Sequence, residues 1–111
     1  MDPRAVFSEL RRYALDFQGA EEDHPWGDTV WKVGGKIFVF AGTESGKFTV
    51  KATLDQQAVL ILHPNIERAA YVGRFGWVTV HVQDEESLGL CREMIEASYR
   101  MIAPKRFLQE A

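Results

Sequence analysis

Cysteine is almost missing from this chain: Cys91 stands alone among 111 residues, so no internal disulfide can form. A reducing cytoplasm is the expected setting. Within an apolar pattern of helical spacing, that thiol reads as a packing group rather than a reactive one. No apolar run approaches the roughly 20 residues that cross a bilayer, and the opening Met1-Asp2-Pro3-Arg4 lacks the basic and then apolar order of a signal peptide. Neither membrane insertion nor export is expected. Missing as well are a glycine loop between strand and helix that could cradle a phosphate, and any Cys/His spacing suited to zinc. Prolines are few, and Pro3, Pro25, Pro64 and Pro104 all fall where helices start or stop.

What is present describes one globular domain over residues 1–111, with 46% apolar and 26% charged residues. The formal net charge of −3 argues by itself against a protein that coats nucleic acid. Its distribution is uneven. Residues 1–31 carry seven acids against three arginines, whereas Lys32, Lys36, Lys47 and Lys51 face only Glu44 within 32–51.

Val6, Leu10, Ala14 and Phe17 recur at helical spacing, with Asp2 and Pro3 suited to the first turn and Gly19 to the end. Glu21, Glu22, Asp23, His24 and Pro25 then read as an acidic connector. Thr29 to Val33 and Lys36 to Phe40 are β-branched and aromatic, and Gly34-Gly35 between them predicts a tight hairpin. In that register Val33 faces Lys36, Lys32 faces Ile37 and Trp31 faces Phe38. Phe48, Val50 and Ala52 alternate with Lys47, Thr49 and Lys51, predicting a strand with one buried and one basic face. Leu54 to His63 reads as a short helix stopped by Pro64, with Val59 and Leu62 turned inward. After a turn at Gly73-Arg74-Phe75-Gly76, Val78, Val80 and Val82 share one strand face. Asp84 caps a last helix running to about Ala103 through Leu88, Cys91, Ile95, Ser98, Tyr99 and Ile102. Helix, hairpin, strand, short helix, strand pair and helix exclude a regular βαβ alternation and leave an α+β class.

Three chemistries compete. Catalysis is not expected: Ser98 with one of His24, His63 or His81 could form a nucleophile pair, but spacing alone does not bring them together, and a serine inside a helix is usually bonded to backbone. A hard metal could take oxygen ligands from Glu21, Glu22, Asp23 and Asp28, with His24 among them, yet a solvated acidic loop explains the same residues better. No metal and no cofactor are therefore expected. Nucleic-acid contact rests on lysines that can neutralise phosphates, interleaved with Trp31, Tyr71 and Trp77 that can stack on bases.

The stretch Asp23-His24-Pro25-Trp26-Gly27-Asp28, the following Trp31-Lys32-Val33-Gly34-Gly35-Lys36-Ile37-Phe38, the strand end Val50-Lys51, and the late Gly76-Trp77-Val78 and Ser98-Tyr99 pairs resemble the MmcQ/YjbR family over nearly the whole chain. The resemblance implies a CyaY-like sandwich, the bacterial frataxin fold: an antiparallel sheet flanked by N- and C-terminal helices. It also implies a DNA-binding role through paired hairpin wings. This chain departs from many relatives at Arg74-Phe75-Gly76, where a more polar segment is usual. The expectation is then a monomeric DNA-binding domain without enzymatic activity, in which Lys32, Lys36, Lys51 and Arg74 share one β face and contact phosphates. Trp77 and Tyr71 would supply an aromatic surface there, and Trp26 would anchor the entry loop in the core. A module for a small anionic ligand or a protein partner is the alternative.

Overall fold

The computed structural model describes residues 1–108, beginning with helix α1, Pro3–Leu15, whose first turn is capped by Asp2 accepting from the Arg4 amide. Six strands follow: β1 (Ala20–Asp23), β2 (Thr29–Val33), β3 (Lys36–Ala41), β4 (Lys47–Val50), β5 (Ile66–Arg68) and β6 (Val78–His81). Helix α2, Leu54–Leu60, separates β4 from β5; α3, Glu85–Ile102, and the short α4, Lys105–Leu108, close the described chain. The strands form one antiparallel sheet in the order β1-β2-β3-β4-β6-β5. This is the α+β class expected, with N- and C-terminal helices beside an antiparallel sheet. Among the described residues no helix is long and apolar enough to cross a membrane.

Strand alternation divides the sheet into two faces. Trp31, Val33, Val39, Phe48, Val50, Val78 and Val80 are buried on the side covered by α1 and α3, where they meet Val6, Leu10, Leu88, Cys91 and Ile95. Lys32, Phe40, Thr49, Thr79 and His81 lie on the other side and are half-buried, because no helix covers it. Thr49 and Thr79 face each other there across β4 and β6, with hydroxyls 2.8 Å apart.

Three local expectations need correction. Trp31 pairs with Val39, not Phe38: a β-bulge opposite Trp31 and Lys32 places one extra residue in β3, so Phe38 and Val39 are both fully buried. The acidic connector is partly strand. Ala20–Asp23 forms the edge strand β1 despite three consecutive acids, because pairing to β2 satisfies its backbone while the charges discourage further edge-to-edge growth. Helix α2 ends at Leu60 rather than His63; Val59 within it and Leu62 beyond it are 68% and 80% exposed, and Gln57 is the buried residue. An amide that ties down two carbonyls outweighs apolar periodicity in so short a helix.

Two features of the late helix explain residues that looked chemical. The Ser98 hydroxyl, fully buried, donates to the Phe38 carbonyl at 2.7 Å and accepts from the Lys51 amide at 3.0 Å. It therefore joins α3 to β3 and to the end of β4, where the bulge and strand exit free main-chain groups. The Tyr99 hydroxyl donates to the Gln18 carbonyl at 2.5 Å while its ring lies between Phe17 and Phe38. Burial pushes the Cys91 thiol up to about 12, more than enough to override the lowering effect of Arg92, so it stays protonated and inert.

Candidate functional site

Because every strand is antiparallel to its neighbours, the register assigns each loop to one of two ends of the sheet. The Gly34-Gly35 turn, the exit of β4 at Lys51, the β5–β6 connection and the α3–α4 junction at Pro104 share one end; Pro104 lies against Gly34. The turns at 24–28 and 42–46 and the start of α3 share the opposite end, where Arg4 meets Glu44 at 3.8 Å.

Charge separates along this axis. Lys36, Lys51, Arg68, Arg74, Lys105 and Arg106 gather at the first end, against Asp16, Glu21, Asp55 and, beside Lys51 in the groove between α2 and α3, Glu93 among the described residues. Asp2, Asp28, Glu44, Asp84, Glu85 and Glu86 gather at the other, against Arg4 and Lys47. None of the six cations at the basic end has a carboxylate partner among the described residues. A molecule that is negative overall therefore presents a positive pole.

The residues singled out in the sequence fall unequally on that pole. Lys32 is half-buried, and its ammonium lies 3.2 Å from the Asp23 carboxylate, which neutralises it. That ammonium and the backbone amide of His24 hold the Asp23 carboxyl below its usual range, with the amide bond the larger cause. Lys36 is exposed but pairs with Val33, so by register it leaves the hairpin on the helical side, away from Lys51. The expected single β face is thus wrong: Lys36, Lys51 and Arg74 share an end of the sheet, not a face. Strand alternation alone does not tell how the end of a twisted sheet collects loops from both sides.

At the β5 edge of this end is the connection between β5 and β6. A 3-10 turn, Val72–Phe75, carries Arg74, whose guanidinium lies 4.8 Å from the Phe75 ring centroid. The Lys51 ammonium donates to the Phe75 carbonyl at 2.7 Å and lies 6.0 Å from the Trp77 ring centroid. Trp77 packs edge-on against Phe40 at 5.5 Å, so its ring caps the open face. The buried Gln57 amide donates to the carbonyls of Gly73 at 2.7 Å and Trp77 at 2.9 Å. Gln57 was not singled out in the sequence, because the inward face read from Val59 and Leu62 leaves it on the other side of the helix and its partners lie 16 and 20 residues away. Three carbonyls of the connection, at 73, 75 and 77, are thereby held by side chains from the β4–α2 region.

Among the described residues two non-glycine residues have positive φ, Trp26 at 54° and Tyr71 at 63°, and their side chains are 95% and 96% exposed. Trp26 does not anchor its loop. Pro25 and Gly27 confine it to a 3-10 turn that turns its ring to water, while Trp31 fills the core instead. Tyr71 sits at the corner of a γ-turn closed by the Val72 amide on the Ala70 carbonyl at 2.6 Å, a strained conformation for a bulky residue. Tyr71→Gly is accordingly expected to raise stability by about 1 kcal/mol. A lower urea midpoint in that variant would show that the ring has packing value its exposure conceals.

Most side chains weighed for metal binding and catalysis have partners within the fold. Glu22 is engaged by Arg11 at 2.7 Å, by the Trp31 indole at 3.0 Å and by His24 at 3.0 Å, and Asp23 by Lys32. Among the described residues no group of three or more His, Cys, Asp or Glu is placed to hold a metal ion. Ser98 faces main chain, His63 accepts from the Asn65 amide, and His81 contacts Glu67. A groove of ≈ 500 Å³ runs between α2 and α3, lined by Ala52, Val59, Leu60, Leu90 and Met94, with Lys51 at its rim.

Comparison with known proteins agrees with the resemblance read from the motifs. The uncharacterized protein YbdF of Escherichia coli O157:H7 is 27% identical over 107 residues, covering 92% of this chain and 88% of that protein. The YjbR family's sequence pattern matches residues 15–101, a span running from the end of α1 to the last turn of α3 and including Lys51, the 71–77 connection and Ser98-Tyr99, so the chain belongs to the YjbR family.

Proposed function

We propose that this domain is a cytoplasmic, monomeric, non-enzymatic DNA-binding protein that contacts phosphates weakly and with little sequence preference. The observation that carries this reading is the positive pole: six cations without carboxylate partners among the described residues, collected at one end of an acidic molecule. Phosphate binding is driven by release of counterions and needs only exposed cations that a polyanion can reach together. A local pole meets that need where net charge does not. Lys51 and Arg74 flank the exposed Phe75 and the half-buried Trp77, while Lys36, Lys105 and Arg106 extend the contact along the same end.

Fluorescence anisotropy with labelled DNA over a range of salt tests the proposal. The slope of log affinity against log salt is expected to fall by about one unit for each lost phosphate contact, hence by about two in the Lys36→Ala/Lys51→Ala double variant. An unchanged slope would sink the assignment of those lysines. Binding is expected to be easiest to detect at low salt.

The groove between α2 and α3 favours a second reading. Its apolar walls suit a small amphiphile whose anionic head reaches Lys51 against the opposing charge of Asp55 and Glu93, which line the same groove. One charge contact gives a shallow salt dependence. A steep slope with DNA and none with such a ligand separates the two.

A further inference from the structure

We infer that the ligand of the basic end is an unpaired DNA strand, with Tyr71 and Phe75 as the surfaces on which bases stack; this rests on the proposed function and deepens it. Tyr71 and Phe75 lie four residues apart on one connection, and they are 96% and 55% exposed. Tyr71, almost wholly in water, forgoes burial, and its backbone is strained there as well. The carbonyl ties from Gln57 and Lys51 fix the segment between β5 and β6, so the Phe75 ring is presented on a braced turn rather than a loose loop. Arg74 lies over the Phe75 ring, placing a cation beside a stacking surface.

Together these parts match what a single strand offers: a phosphate backbone for the cations and free base faces for the rings. A duplex offers the phosphates but keeps its bases stacked on one another. Cations alone would treat the two alike. The rings therefore supply a preference for unpaired DNA, and it is indifferent to sequence because every base has a π-face.

The test compares a labelled oligothymidine with its duplex, both titrated by anisotropy across a range of salt. The intact chain is expected to bind the single strand about tenfold more tightly than the duplex at equal salt. In a Tyr71→Gly/Phe75→Leu variant the single-strand affinity should fall to the duplex level with an unchanged salt slope, because no cation is removed. Tyr71→Phe should retain the preference. Equal binding of both probes by the intact chain, or a preference that survives loss of both rings, overturns the inference while leaving phosphate contact in place. No binding of either probe at low salt overturns this inference and the proposed function together.

Discussion

Gly76→Ala is expected to be among the most damaging ways to add one methyl group to this chain. Gly76 has φ +100°, which an L side chain rarely adopts, and a Cβ built there would lie 2.1 Å from the Ala52 carbonyl oxygen. That oxygen belongs to main chain leaving β4, so no side-chain rotation can relieve the overlap. Backbone strain and overpacking together are expected to cost on the order of 4 kcal/mol, a large part of the roughly 5–15 kcal/mol that holds such a domain folded. Urea unfolding of the variant measures it directly. A loss below about 1 kcal/mol would mean that the β5–β6 connection can move away from β4 at little cost. The functional consequence follows from the same geometry: shifting Gly76 moves Phe75 and Trp77 away from Lys51, so the preference for the single strand should shrink if the variant folds, with the salt slope unchanged because every cation is retained.

The second large effect is expected at Trp31. Its ring is fully buried between Phe7 of α1 and Phe48 of β4, with centroids at 5.8 and 6.2 Å. Replacing it with Ala should cost about 3–5 kcal/mol through lost burial and the cavity left behind. Trp31→Phe separates packing from hydrogen bonding, because it keeps a ring but removes the indole donor to Glu22. Burial pushes the Glu22 carboxyl up, but hydrogen bonds from Arg11 and Trp31, with the charges of Arg11 and His24, outweigh it and leave the group below its ordinary 4.5. A folded value below the unfolded one stabilises the fold above about pH 4.5, and this is lost as pH falls through the lower folded value. Removing the indole narrows that difference. The deficit of Trp31→Phe against the parent should therefore be larger at neutral pH than in acid, and urea midpoints taken at both conditions check the sign. A deficit that grew on acidification would show that the indole does not favour the ionised carboxylate.

The contrast between Trp31 and Trp26 illustrates why a site is harder to read than a fold. Both are tryptophans in an apolar neighbourhood of sequence, yet one is the largest fully buried side chain and the other is almost wholly in water. Strand alternation places Trp31 with Val33 on the covered face. Trp26 sits between Pro25 and Gly27, where no periodicity applies, and only the conformation of the turn decides where its ring goes. Gln57 makes the same point in reverse. Its neighbours Val59 and Leu62 looked like the inward residues of α2, but the carbonyls of Gly73 and Trp77 lie 16 and 20 residues away in the chain, and no local pattern announces them.

Whatever depends on neighbours along the chain is legible in one dimension. Gly34-Gly35 supplied the positive φ of the hairpin, Asp2 and Asp84 the helix caps, and the alternation of Phe48 to Lys51 and of Val78 to Val82 the two faces of the sheet. Propensity, capping and periodicity act over a few residues, so they survive in a one-dimensional reading. Only the tertiary structure decided that Lys36, Lys51, Arg68, Arg74, Lys105 and Arg106 meet at one end, that Asp23 removes Lys32 from the set, and that an acidic tetrapeptide pairs as an edge strand. Those outcomes depend on strand order and on which loops an antiparallel sheet brings together. Coulomb interaction acts through space, so the charge a ligand meets is set by the folded arrangement rather than by the order of residues in the chain.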